Sequence, residues 1–298
     1  MQSFSRGWSF LKQAWGMAFK DKDLLKPSIY ALVVGMIVSV IGIIPLAVGY
    51  FFIGGSSVGN FVMFILGGIL VFVQFVVTYV FSGMTVYLIY GYLTEGDGRM
   101  DKAWAIVKRD FFDILTLAAA STVVNMLRSA AQRNRKNSIV SSVVRSATGL
   151  LETLWTEAAY LILPAMVIDD MNLKASLQRV WTITKENFLL IGISTVGVRW
   201  VTGLISFVFS VTGLVIAFAV GGGLTFISNG NMAISIVGIV IGAFIFFTFA
   251  MISSIFSSYT NTAYHTCLYI WAREVETAKA QGSSAPVLAP APLAAALA

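Results

Sequence analysis

The sequence predicts an all-α fold, a polytopic transmembrane helix bundle of about six spans, and three observations predict it. The 66 residues from Ser28 to Leu93 contain no Asp, Glu, Lys or Arg, and neither do the 73 residues from Trp200 to Ala272. A helix needs about 20 apolar residues to cross a bilayer, so each tract holds two crossings. Only 11% of the chain is charged and 57% is apolar, at a mean hydropathy of +0.83, whereas a soluble domain carries roughly 25% charge to face water.

The elements follow in order. Residues 5–22 read as an amphipathic helix lying on the membrane, with Phe4, Trp8, Leu11, Trp15 and Phe19 at helical spacing and Arg6, Lys12 and Lys20 placed to reach headgroups. The apolar run after it is about 26 residues long, beyond the roughly 7–15 of a signal-peptide core, so the first span is expected to stay. Pro27 suits a first helical turn. Span one is expected at about 28–53 and span two at about 61–93, joined by Gly54-Gly55-Ser56-Ser57.

A second amphipathic stretch, 100–110, leads into a weaker third span at about 111–127, interrupted by Asp113 and Asn125. The loop 128–137 is basic (Arg128, Arg133, Arg135, Lys136), and a fourth span at about 146–168 carries Glu152 and Glu157. A third amphipathic helix, about 173–186, precedes span five at about 187–220 and span six at about 232–272. Gly221-Gly222-Gly223 and Asn229-Gly230-Asn231 mark the turn between them. The tail 280–298, rich in Ala and Pro and without an aromatic anchor, reads as disordered. The rest, 1–279, reads as one transmembrane domain.

The amphipathic stretches resemble one another. MDKAWAIVKRDF at 100–111 aligns without a gap on 177–188, pairing Trp104 with Trp181, Lys108 with Lys185 and Phe111 with Phe188; LKQAWGMAFKDKDLL at 11–25 aligns with one gap. The units would be about 5–93, 100–168 and 173–272, each an interfacial helix plus a hairpin. Trp15, Trp104 and Trp181 would anchor at headgroup level, with Lys108 and Lys185 reaching phosphate. That predicts anionic lipid headgroups as partners.

Orientation follows from the basic residues. Segments 1–27, 94–110, 169–187 and 271–298 carry 14 of the 20 Lys and Arg, and the loops 54–60 and 221–231 carry none. Both termini are therefore expected on the cytoplasmic side. The loop 128–137 is the exception: either it crosses against the rule, which we favour, or segments three and four form a hairpin that does not fully cross. A reporter fused at Lys136 that read as cytoplasmic would select the latter. The net charge of +6 does not indicate a nucleic-acid partner, because the basic residues are spread among these short segments.

The opening WSFLKQAWGMAFKDKDLLKPSIYAL and the central ILPAMVIDDMNLKASLQRVWTITKENF resemble a family of uncharacterised prokaryotic six-helix membrane proteins. They are also similar to the membrane domain attached to some glycerophosphodiester phosphodiesterases. In that pattern a Pro ends a span, an acid follows, and a helix with a "small-aliphatic-x-Arg" start comes next; Pro164, Asp169, Ser176, Leu177 and Arg179 stand at those places. The resemblance covers most of the chain and implies the fold and a prokaryotic cell (inner) membrane. It implies no substrate, since its motifs describe helix ends and the catalytic domain has no counterpart in the sequence.

Charges inside spans are the strongest functional candidates. Glu157 lies 11 residues before the end of span four and Arg199 12 residues into span five, about 16 and 18 Å at ~1.5 Å per residue. Both counts run from the same side, so the two are expected at one depth near the midplane, and paired. Such a pair is either a polar site for an ion or headgroup or a structural tie. Glu152 is expected nearer the outside, where Arg128 or Arg145 could meet it.

Span six carries a polar stripe, Ser254, Ser257, Ser258, Asn261 and His265, which serves helix packing or lines a wet path together with Thr78, Ser82 and Thr85. The single His265 reads as interfacial. Gly238 and Gly242 form a Gly-x-x-x-Gly packing pattern, and Gly221-Gly222-Gly223 lacks the context of a phosphate loop. The single cysteine, Cys267, leaves no internal disulfide and no cysteine-built metal site. With no nucleophile–base pair, metal cluster or cofactor loop visible, no enzyme and no cofactor are expected. The leading expectation is a non-enzymatic lipid-binding or membrane-organising protein; the alternative is a channel or transporter for a small anionic solute.

Overall fold

The computed structural model describes residues 2–53, 56–133, 139–227, 231–282 and 287–297; the side chains of 2–3, 133, 139–145, 186–197 and 296–297 lie outside the description. So do Gly54-Gly55, Arg135, Lys136, Asn229-Gly230 and the side chains of Arg133 and Arg145, on which several sequence expectations fell. Among the described residues there is no strand. The helices are α1 (Gln2–Lys20), α2 (Lys26–Ile53), α3 (Ser57–Glu95), α4 (Met100–Arg109), α5 (Phe111–Arg133), α6 (Ile139–Asp169), α7 (Leu173–Ala217), α8 (Gly223–Ile227), α9 (Met232–Ala280) and α10 (Ala291–Leu297). Among the described residues six segments are long and apolar enough to cross a membrane: Lys22–Ile53, Ser57–Glu95, Phe111–Gln132, Ser146–Asp169, Val198–Ile227 and Met232–Ala280. The chain is a multi-pass helical membrane protein built as a six-span bundle.

Local chemistry marks the helix ends. Ser56 accepts from the Gly59 N–H (2.9 Å) to start α3, and Gly96 closes it at φ +80°, a conformation that costs glycine nothing. Asn172 accepts from the Ala175 N–H (3.0 Å) at the start of α7, and Asn231 caps α9 on Ala233 and Ile234. Asp170, at φ 54°, ends α6.

One boundary differs from the sequence expectation, and one proline lies inside its helix. Leu173–Ala217 is one continuous helix of 45 residues, not an interfacial helix followed by a span. Pro164 lies inside α6, which continues to Asp169; without an N–H it leaves the Tyr160 carbonyl short of its helical donor.

Burial is one-sided. Phe10, Leu24, Leu88, Ile114, Ile162, Met166, Ile183 and Leu268 are buried together at the end of the bundle that carries α1, α4 and the start of α7, hereafter the basic end. Beyond it the hairpins α2–α3 and α7–α9 expose apolar side chains such as Ile44, Phe51, Phe61, Phe207 and Phe244, surface suited to lipid. At the far end of α7–α9 a Cβ on Gly238 would stand 2.7 Å from the Gly221 carbonyl oxygen, and one on Gly242 2.9 Å from that of Ala217. The Gly-x-x-x-Gly pattern thus closes this hairpin on itself.

The tail also differs. α10 packs against α1, Leu293 is fully buried, and Trp271 Nε1 donates to the Val287 carbonyl at 3.3 Å. Composition suggested disorder; an Ala-rich segment becomes helical once a residue such as Leu293 has an apolar surface to cover.

Candidate functional site: a charged cluster between α6, α7 and α9

Three spans converge on Glu157. Its Oε1 forms an ion pair with Arg199 Nη2 of α7, and its Oε2 lies 3.2 Å from His265 Nε2 of α9. The expected Glu157–Arg199 pair is present, and His265 joins it. His265 is 3% exposed, enclosed by neighbouring helices, and its Nδ1 lies 2.7 Å from the Asn261 carbonyl oxygen one turn back. A carbonyl only accepts, so Nδ1 carries hydrogen and donates. The Nε2–Oε2 contact then needs one proton between the two groups, on the imidazole or on the carboxyl. Tyr160 stacks on the ring at 4.8 Å and Tyr264 meets it edge-on at 5.0 Å, fixing its plane.

Sequence reasoning named His265 but missed its pairing with Glu157, for a geometric reason. It lies seven residues before Ala272, the end of the charge-free tract, against 11 and 12 for the other two, so counting from helix ends gave it a different depth. α9 passes α6 obliquely: Arg273, only eight residues after His265, meets Asp169, which lies 12 after Glu157. Crossing geometry of this kind leaves no trace in residue counts.

Beside the cluster runs a crevice of about 280 Å³ between α6 and α7. Leu154, Ala158 and Leu161 wall it on one side, Leu177, Val180, Trp181 and Thr184 on the other, and Glu157 and His265 also line it.

The remaining candidates are dispersed. Glu152 pairs with Arg128 of α5 as expected, beside a separate cavity of about 110 Å³ between α3, α5 and α6. Ser121 knits that cavity's wall, 2.7 Å from the Tyr79 hydroxyl and accepting from Trp155 Nε1 at 2.8 Å. Of the span-two hydroxyls, Thr78 and Ser82 line this cavity, and Thr78 and Thr85 donate to carbonyls of their own helix. The span-six stripe splits. Asn261 bonds Ser257 at 3.4 Å and holds His265, whereas among the described residues neither Ser254 nor Ser258 meets a charged group. Gln74, unremarked in the sequence, ties α3 to α2 through the Gly35 carbonyl (2.9 Å) and Ser39 (2.7 Å).

The three proposed anchors are not alike. Trp104 is exposed with Lys108 Nζ 5.2 Å over its ring. Trp181 is exposed too, and Lys174, Gln178, Trp181 and Lys185 form one exposed stripe on α7. Trp15 turns inward. Its Nε1 donates to Thr260 Oγ1 at 3.1 Å and its ring stacks on Phe256 at 4.9 Å, because the buried face of α1 is Phe10, Ala14, Met17 and Ala18. It fastens α1 to α9 and does not face headgroups.

Ion pairs lace the basic end. Asp169 holds Arg273 (2.7 Å) and accepts from the Tyr269 hydroxyl, and Arg179 meets Glu276 at 2.7 Å. Arg109 bridges Asp110 (2.6 Å) and Asp170 (3.3 Å). Burial pushes the Asp110 carboxyl above its ordinary range, with Arg109 opposing and Asp170 adding. Asp21 accepts from the Gly98 N–H at 2.8 Å, tying the α1–α2 joint to the α3–α4 turn.

Among known proteins, no family model matches this chain, and no curated protein matches it.

Proposed function

We propose that this chain is a non-enzymatic membrane protein that binds anionic lipid along its basic end and organises the surrounding membrane or its partners. The observation that carries the reading is the exposed stripe Lys174, Gln178, Trp181 and Lys185 on α7, repeated in part by Trp104 and Lys108 on α4. An indole at headgroup level with ammonium groups on either side suits anionic headgroups, at about 1 kcal/mol for each basic residue near a charged surface. The distribution of Lys and Arg supports a cytoplasmic basic end, and the sequence resemblance supports a prokaryotic cell membrane.

The test is lipid selection by the purified chain in nanodiscs of mixed anionic and zwitterionic phospholipid. Anionic lipid is expected to be enriched around the protein, and Lys174→Gln with Lys185→Gln to lower that enrichment by about fivefold per charge. Equal recovery of both lipids, or enrichment indifferent to the two substitutions, would refute the reading.

A channel or transporter for a small anionic solute is the second reading, favoured by the Glu157–Arg199–His265 cluster and by a nearby cavity that Tyr160 borders and Asn125, Glu152 and several hydroxyls line. Flux into liposomes that disappears with Arg199→Ala would select it.

A further inference from the structure

We propose that the cavity between α3, α5 and α6 binds a small uncharged diol, a molecule with a short apolar body and two hydroxyls. Ligand and place both differ from those of the lipid-binding reading. The cavity measures about 110 Å³. One of ~150 Å³ accepts benzene, so this one has room for about four or five non-hydrogen atoms. Its wall is mainly apolar, from Phe75, Tyr79, Trp155, Ala159 and Leu163, which suits a carbon body.

Three polar side chains on that wall, one from each helix, have no hydrogen-bond partner among the described residues: Ser82, Asn125 and Tyr160. The other hydroxyls there are engaged. Tyr79 and Trp155 meet on Ser121, and Thr78 and Thr156 donate to carbonyls of their own helices. Ser82 is only 8% exposed, so the cavity is where its hydroxyl can find a partner. Leaving a buried hydroxyl or amide unpaired is costly. Each of the three side chains can both donate and accept, as a ligand hydroxyl does.

Charge selects against an ion. Glu152 also lines the cavity, but Arg128 already holds its carboxylate. An ammonium ligand would have to displace Arg128, and an anion would meet the carboxylate. A way in exists as well. Asn125 also lines an open groove of about 700 Å³ between α3 and α5. Gly67 and Gly68 leave that groove clear on the α3 side, and a Cβ on Gly67 would meet nothing within 4 Å. Ser129 and Gln132 continue the polar edge along α5 to its far end. A solute entering there reaches the Asn125 amide at the boundary of groove and cavity.

The test uses the full chain, labelled with 5-fluorotryptophan, in nanodiscs of zwitterionic lipid, and follows its fluorine resonances. Among the described residues Trp155 is the tryptophan that lines the cavity, and Trp155→Phe assigns its signal. Propane-1,2-diol should shift that signal saturably in the millimolar range. 1-Propanol, lacking one hydroxyl, should bind about tenfold more weakly. Lactate and 1-amino-2-propanol, of like size but charged, should bind about 50-fold or more weakly. Tyr160→Phe keeps the ring against His265 and removes only the hydroxyl. That variant and Ser82→Ala should each weaken the diol by about two- to tenfold, one hydrogen bond apiece. No saturable shift, the result for a cavity held by water alone, overturns the proposal. So does equal binding of the monoalcohol or of either charged analogue, or unchanged diol affinity in both monodisperse variants. If neither variant folds, the four ligands on the wild type still decide.

Discussion

Replacing Glu157 by Gln keeps the side chain's size while removing the carboxylate that Arg199 and His265 share. Deleting one partner of a buried ion pair costs about 3–5 kcal/mol, and a lone Arg at a span centre about 2.5–3.5 kcal/mol on insertion scales. The Arg199 side chain is 47% exposed, so it can reach polar surroundings when unpaired, and the lower figures apply. We expect about 2–3 kcal/mol lost in Glu157→Gln and about 2 kcal/mol in Arg199→Gln, on the same scales. The double variant should lose less than the sum, with a coupling of about 1–2 kcal/mol. Because Arg199 and His265 hold opposite oxygens of the carboxylate, His265→Gln should couple strongly to Glu157 and weakly to Arg199. The assay is reversible unfolding in mixed micelles with rising denaturing detergent, followed by circular dichroism. A Glu157–Arg199 coupling below about 0.5 kcal/mol, the additivity expected of independent sites, would refute the reasoning.

The Asp110 carboxyl titrates higher folded than unfolded, so the unfolded chain releases its proton first, near 3.8, and stability falls as pH rises from there to the raised value. Asp110→Asn should remove that slope, as unfolding midpoints of both proteins across the mildly acid range would show. Gly238→Ala should cost about 1–3 kcal/mol by pressing a methyl onto the Gly221 carbonyl. Gly223→Ala, with nothing within 4 Å, should be neutral or stabilising by up to about 1 kcal/mol; equal effects of the two would count against the close hairpin contact. Ending the chain after Gly282 uncovers the α1 surface beneath Leu293 and should cost about 1.5–3 kcal/mol, whereas an unchanged midpoint would show that α10 contributes nothing.

The spans were legible because lipid demands an unambiguous composition: two tracts without charge can only be hairpins. The Glu157–Arg199 pair was legible because helix length converts residue counts into depth. What stayed hidden depends on which helices touch and at what angle. His265 looked isolated because its partner is 108 residues away. Trp15 looked like Trp104 because periodicity shows that a helix has an apolar face, not whether lipid or protein covers it, and α1 is apolar on two faces. The tail misled because an Ala/Pro-rich segment orders only against a surface supplied by another helix.

The depth of the charged cluster follows from counting in both directions. From Asp169, Glu157 lies 12 residues in, about 18 Å at ~1.5 Å per residue. From Ile227 at the far end, Arg199 lies 28 residues in, about 42 Å by the same rise. Together these approach 60 Å, against about 40–45 Å for a bilayer with its headgroups and ~30 Å for its hydrocarbon. Tilt alone, commonly about 20°, does not absorb the difference. On α7 itself Arg199 stands 26 residues after Leu173, about 39 Å at ~1.5 Å per residue, so α7 is not matched to α6 in depth residue for residue, and the helices together are longer than the hydrocarbon. That excess length agrees with a half-exposed Arg199 and with ion pairs such as Arg179–Glu276 and Asp169–Arg273 at the basic end.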